Sequence, residues 1–365
     1  MTARGGAGAG ADGDLACLEA MWQEVLATGV LPAAAVPVRT RLVRAVGTVA
    51  LPSGLAYLKV MSFPRAGDKL RYLLRALPAA HEAAMLLRVR AAGIACPEVL
   101  AVRTRRAALL PHRSMLALRA LPVAADDAAP QERLAQRAAL ARRLLDAGLF
   151  HPDLNTDNFA RLQEGGLAVL DLQSVRPVRA RTRAARRMAA RLLLEAADVE
   201  PARALELLAA AGLAQRGDSG VERLAAAIAR DWLWARVLRC WRTSTEFVAE
   251  RGWLRREHRR RGDLPPGRWV AGGRDLARCW EGQRLLEVLE GRPPVLLGIR
   301  VMSPWLPGEC SVYVPATVAE ERVRDELRAM DEAHRRLAAT LTAKTPPPLR
   351  TLQAWRRRFT AEAAR

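Results

Sequence analysis

Cysteine, lysine, aromatic side chains and long apolar runs are all scarce in this 365-residue chain. The five cysteines, Cys17, Cys96, Cys240, Cys279 and Cys310, are odd in number, far apart and free of any C-x-x-C pair, which argues against both a disulfide framework and a zinc site. A reducing cytoplasm is the expected compartment. No stretch is long and uncharged enough to span a bilayer, and the Gly/Ala-rich residues 1–13 lack an apolar core of signal-peptide length, so a soluble or peripheral protein is expected. Aromatics make up only 5% of the chain, and Trp232, Trp234 and Trp241 fall in an apolar helical stretch, as core side chains and not base-stacking platforms. A specific nucleic-acid reader is therefore not expected. Of 58 basic residues only Lys59, Lys69 and Lys344 are lysine. The net charge of +20 would draw the chain toward anionic surfaces, nucleic acid or acidic lipid. Such an arginine bias reflects genome composition as much as function, and it makes each lysine informative.

Patterning divides the chain into a strand-rich first part and a helix-rich remainder. Residues 1–35 read as a flexible start and a leading helix over 15–28, where Leu18, Met21, Trp22 and Val25 have helical spacing. Extended runs at 36–50 and 55–61 flank the turn Pro52-Ser53-Gly54, and a better helix over 79–92 follows a break near Pro78. Two more strands are expected near 98–105 and 114–120. A linker over 121–130 marks a boundary between lobes, placing an N-lobe at 36–122. The second lobe, 123–290, opens with an amphipathic helix over 131–147 stopped by Gly148. Helical pattern then covers 179–250, a Gly/Pro-rich loop 261–273, and a helix 275–289. Residues 291–365 read as an extension with a strand-like part at 295–314 and helices over 318–343 and 349–364. The expected class is α+β with two lobes and a ligand between them.

The chemistry is concentrated in His151-Pro152-Asp153-Leu154-Asn155-Thr156-Asp157-Asn158, which precedes a glycine hairpin and Asp171 at the end of the apolar run 167–170. A carboxylate five residues ahead of an amide fits one loop, with the first facing a hydroxyl and the second a metal. Asp171 supplies a further hard oxygen, and the set suits magnesium and phosphoryl transfer. Taken singly, Asp153 and Asp157 are ordinary turn formers and Asp171 an ordinary strand end; the order and the intervals carry the reading. Lys59 lies in a strand-like run, 55–61, and keeps a compact ammonium where this chain otherwise writes arginine.

The loop, the preceding helix and the following hairpin resemble those of the protein-kinase-like superfamily, and His-Pro-Asp-Leu-Asn-x-x-Asn most resembles the Kdo/heptose lipopolysaccharide kinases. The resemblance implies a two-lobed kinase-like fold with a small antiparallel-sheet N-lobe and a mainly helical C-lobe. It implies ATP and Mg2+ as cofactors and a sugar hydroxyl of lipopolysaccharide core as acceptor. By the same resemblance Asp153 would be the base, Asn158 and Asp171 metal ligands, Lys59 a phosphate contact, Glu82 the ion-pair partner that orients Lys59, and His151 an architectural residue. His81 and Glu98 compete with Glu82 in sequence.

Several positions depart from the protein-kinase pattern. No G-x-G-x-x-G precedes Lys59, so the nucleotide-covering loop is built differently or grips weakly. Asp171-Leu172-Gln173 stands in place of D-F-G, and Pro152 in place of the arginine that reads a phosphorylated activation loop, which points away from regulated protein kinases. Two other outcomes stay open: a kinase of aminoglycosides, choline or similar small alcohols, and a non-catalytic pseudokinase scaffold. Two arginine clusters, one within 179–191 and one within 255–261, are either solvated faces or docking surfaces for phosphorylated lipid and anionic membrane at the inner face of the cytoplasmic membrane.

Overall fold

The computed structural model describes residues 7–40, 43–63, 66–107, 109–244, 246–253, 255–272, 275–302, 310–343 and 347–362. Part of the expected flexible start, residues 1–6, and Lys344 lie outside them. The chain divides into two compact units, Met1–Val221 and Glu222–Arg365.

The first unit begins with α1 (Ala7–Thr28), so residues 7–13 are helical and not a loose leader. Three strands follow, β1 (Val36–Thr40), β2 (Arg44–Leu51) and β3 (Gly54–Ser62), then the short α2 (Ala66–Arg71), α3 (Pro78–Ala91), β4 (Val99–Ala107) and β5 (Leu110–Arg119). The extended run read over 36–50 is thus two antiparallel strands. The five strands form one antiparallel sheet in the order β1-β2-β3-β5-β4. Period-two alternation decides what each face of β3 does. Ala56, Leu58 and Val60 turn into a core with Leu18, Trp22 and Val25 of α1, while Lys59 projects from the opposite face. On α3 the residues 78, 79, 82, 83, 85, 86 and 89 form the buried stripe. Glu82 is the one charged member of that stripe.

After the linker come α4 (Pro130–Asp146) and the two-residue β6 (Leu149–Phe150), then a hairpin of β7 (Phe159–Arg161) and β8 (Leu167–Val169), and β9 (Arg176–Pro177), which pairs with β6. Helices α5 (Arg181–Glu195) and α6 (Pro201–Ala210) pack on α4 and complete the helical lobe, and α7 (Ser219–Val237) runs across the division between the units. The buried faces of α4 and α5, Leu140, Leu144, Met188 and Leu192 among them, recur at helical spacing. The unit is therefore two-lobed, with a sheet-rich N-terminal part and a helical C-terminal part.

The second unit holds β10 (Phe247–Arg251), β11 (Arg255–Arg260), β12 (Gly267–Gly272), α8 (Leu276–Glu290), β13 (Gly298–Met302), β14 (Cys310–Pro315), α9 (Glu320–Thr342) and α10 (Leu349–Glu362). Its strands make a second antiparallel sheet, ordered β10-β11-β13-β14-β12. Two expectations fail here: the end of the supposed helical stretch is β10, and the supposed Gly/Pro loop contains β12. The cause is composition, since strands written Arg-Arg-Glu-His-Arg-Arg and Gly-Arg-Trp-Val-Ala-Gly carry little of the branched, alternating pattern that marks a strand. Gly291, expected to begin an extension, lies inside this unit, where it closes α8 at φ +70°. Trp280, Phe247, Ile299, Val312 and Met330 share its core, joining residues from both sides of that glycine. At Gly282 of α8 a Cβ would collide with the Met330 carbonyl of α9, so the close approach of these helices requires glycine. Trp232, Trp234 and Trp241 are half-buried: Trp232 lies under Arg236, and the Trp241 indole donates to Glu281 at 2.6 Å.

Candidate active site

The site assembles within the first unit from a strand, a helix and two loops. Lys59 Nζ lies 2.5 Å from Glu82 Oε1 and 3.6 Å from Asp171 Oδ1. Glu82 is 3% exposed, and a carboxylate that dry is tolerated only with a partner. Side-chain contacts tie the helix that carries it to its neighbours: Ser114 Oγ accepts the Ala79 amide at 3.1 Å, and His81 Nε2 of the helix meets the Val175 carbonyl at 2.8 Å. Glu98, the other acidic candidate, pairs with Arg119 at 3.0 Å, away from Lys59.

Gly148, at φ +71°, ends α4 and turns the chain into β6. His151 is fully buried, and its Nδ1 accepts the Asp153 amide at 3.2 Å, which makes it a loop support. Burial pushes this imidazole below its ordinary value, against the Leu170 carbonyl and the carboxylates of Asp153 and Asp171, which raise it; it is neutral near pH 7. Leu154, with no exposed surface, anchors the loop from below. Asp153 is exposed, and among the described residues no hydrogen bond or ion pair engages its carboxylate. Asn158 is buried and its Nδ2 is committed twice, to the Asp153 carbonyl at 2.6 Å and to Asn155 Oδ1 at 2.9 Å, leaving its own amide oxygen for another partner. The Leu170 amide donates to the Asn158 carbonyl at 2.8 Å, and this bond sets Asp171 beside Asn158.

Asp171 adopts φ 49° and ψ 62°, left-handed backbone that a non-glycine residue takes at a cost and that functional loops retain. Burial alone would raise its pKa, but Lys59 and then Arg44 overcome that and hold the carboxyl below the usual range. Arg44, at the start of β2, was not among the expected site residues. Its Nη2 donates to Asp171 Oδ1 at 3.2 Å, and its Nη1 to Asp171 Oδ2 at 3.4 Å and Gln173 Oε1 at 2.8 Å. Gln173 also reaches Met61 on β3. In a chain where nearly every cation is arginine, composition could not single Arg44 out; the signal was its place ahead of Lys59, where no G-x-G-x-x-G stands.

Beside the loop lies a cavity of about 280 Å³, walled by Leu154, Thr156, Asp126, Arg137 and Glu195 among others. Arg137 pairs with Asp126 at 3.1 Å and stacks over Phe159, so the wall mixes both signs of charge with apolar surface.

The hard oxygens of Asp171 and Asn158 suit Mg2+, which commonly takes one or two protein ligands and fills its shell with phosphate and water. A half-buried lysine paired with a carboxylate, a loop carboxylate and these oxygens is an arrangement that phosphoryl transfer can use.

Residues 53–210 match the family model described as lipopolysaccharide kinase (Kdo/WaaP) family. A solved structure of WaaP in complex with acyl carrier protein aligns at 18% identity with a TM-score of 0.40, covering 54% of this chain and 88% of that one. No curated protein matches by sequence. The matched segment, residues 53–210, includes Lys59, Glu82, the loop from Asp153 to Asn158 and Asp171, and is similar to the lipopolysaccharide kinase (Kdo/WaaP) family.

Proposed function

We propose that the first unit transfers the γ-phosphoryl group of ATP to a sugar hydroxyl of lipopolysaccharide core or a similar glycolipid. The observation that carries the reading is the meeting of Lys59, Glu82 and Asp171 in one ion-pair network beside the loop of Asp153 and Asn158. Asp171 and Asn158 would hold Mg2+, which supplies charge neutralisation on the phosphates when bound. Lys59, already oriented by Glu82, donates to phosphate oxygen. Asp153, free in solvent, accepts the hydrogen bond of the acceptor hydroxyl, aims its oxygen at the γ-phosphorus and takes its proton as the new bond forms, the bond from that phosphorus to the β,γ-bridging oxygen breaks and ADP leaves. Arg44 exchanges the Asp171 carboxylate for a phosphate oxygen, so a guanidinium fork does what glycine amides do in other kinases. The cavity beside Thr156 seats the acceptor, its carboxylates and guanidinium matching sugar hydroxyls.

A second reading is favoured by the same Arg44 contact: a scaffold in which Asp171 stays capped and no phosphoryl group moves. One experiment separates the two. Purified protein with Mg2+ and ATP should phosphorylate core oligosaccharide, and nucleotide should raise its unfolding midpoint only with Mg2+ present and not in Asp171→Ala. Absence of both effects would leave the scaffold. Turnover of small alcohols with none of core oligosaccharide would move the activity to the small-molecule kinases.

A further inference from the structure

The segment after α2 and the turn between β4 and β5 are clamped into a single projection by one side chain. Arg106 Nη1 donates to the carbonyls of Tyr72 at 3.0 Å, Leu73 at 3.1 Å and Leu109 at 3.0 Å, and its Nη2 to that of Arg75 at 2.6 Å. What the clamp holds in place is apolar. Leu74 is 95% exposed, Leu109 78% and Leu70 72%. Scattered exposed leucines need no explanation, but three on a projection stapled to keep its shape do. Leu109 also sits at φ +69°, a left-handed conformation that turns elsewhere assign to glycine or asparagine. Backbone cost is accepted there with a large apolar side chain turned to solvent.

The surroundings are mostly basic. Lys69 and Arg71 end α2, Arg75 follows it, and Arg105 and Arg113 lie on the strands; Asp68 of α2 adjoins them, and residues 69–77 and 103–113 contain no Asp or Glu. Arg113, Lys69 and Arg105 also converge on half-buried His112, where burial first and then these three cations press its pKa below the ordinary value. The field at the base of the projection is therefore concentrated and positive.

We infer that this projection docks the protein on an anionic membrane: Leu70, Leu74 and Leu109 enter the boundary between headgroups and acyl chains, and the lysine and arginines pair with lipid phosphates. An apolar tip inside a basic collar is the arrangement that adds the two contributions interfacial binding needs. The docking is independent of the catalytic reading, because none of these residues belongs to the site.

The test is co-sedimentation of the full-length protein with vesicles of phosphatidylglycerol and phosphatidylcholine, against vesicles of phosphatidylcholine alone. Binding should favour the anionic vesicles and weaken with salt. Leu74→Asp together with Leu109→Asp should weaken it by about tenfold or more, with unfolding midpoint and nucleotide response unchanged because both side chains are exposed. Replacing Lys69, Arg71 and Arg75 by glutamine should weaken binding and flatten its salt dependence. Equal binding by the leucine pair and the wild type would overturn the proposal and assign docking to another basic face, such as the arginines of α5. Absence of vesicle binding would overturn it as well. So would self-association in sedimentation velocity that the leucine pair abolishes while vesicle binding persists, since the tip would then belong to a second copy of the chain.

Discussion

Both units set a cation on a strand against a carboxylate on a helix beside a five-stranded antiparallel sheet, yet among the described residues only the first pair reaches the proposed site. In the second unit Arg260 of β11 bonds Glu287 of α8, and Arg284 joins Glu287 at 3.3 Å and Glu246 as well. Arg284 and Glu287 are both buried, and each charge in the group is met by its neighbours. In the first unit Lys59 reaches past Glu82 to Asp171, whose side chain is 39% exposed and shared with Arg44. The network there ends at solvent on an oxygen that can exchange partners. A strand-to-helix ion pair is thus architecture on its own account; chemistry requires a loop that delivers a partly exposed carboxylate to it, and only the first unit has the Asp153 to Asn158 loop and the Asp171 turn.

That contrast can be broken or sharpened by substitution. The largest expected effect is on turnover: Asp153→Asn should lower kcat by roughly 10²–10⁴ while the unfolding midpoint stays put, since the side chain is exposed, and steady-state rates beside a melting curve check it. Next come the two ion pairs. Glu82→Ala and Glu287→Ala should each cost about 1–3 kcal/mol in denaturant unfolding, because each removes a nearly dry carboxylate from cations of which Lys59 keeps Asp171 and Arg284 keeps Glu246. Calorimetry should then find nucleotide affinity reduced by Glu82→Ala alone; an equal loss from Glu287→Ala would erase the distinction between the units. Arg44→Gln should lower nucleotide affinity by about tenfold, the order expected for a hydrogen bond to a charged group. It should also tighten Mg2+ binding without nucleotide, as the guanidinium no longer competes for Asp171. Unchanged binding of both would return Arg44 to a purely structural place.

The smallest effect concerns pH. The folded-state pKa of His151 is depressed below 6.5, so its contribution to stability is complete above that pH and declines as pH falls from 6.5 toward the lower folded value. His151→Asn should flatten this part of the stability profile of the first unit, which urea unfolding at several pH values would record.

Much of the first unit was legible because its strands and helices advertise their buried faces. Leu18, Trp22 and Val25 spaced along α1, and alternating Ala56, Leu58 and Val60 on β3, state their partners in the sequence itself. The candidate site loop was legible for a different reason: Asp153, Asn158 and Asp171 are close in sequence, joined by a hairpin whose glycines, Gly165 and Gly166, both take positive φ. The sheet of the second unit was not legible where its strands are written in arginine and glycine, since runs with so few apolar residues carry no clear period. Nor was the division at Val221, because α7 runs through it without a break in pattern.

Residue type, order and local spacing by themselves determined the two-lobed α+β plan and the family resemblance carried by residues 53–210. Tertiary structure alone decided that Glu82 and not Glu98 meets Lys59, that Arg44 shares Asp171, and that the cations of the second unit are closed among themselves. The physical reason is that an ion pair depends on distance and burial, which the sheet and the helix set only when they pack, whereas the periodicity that builds each element is already present in its own residues.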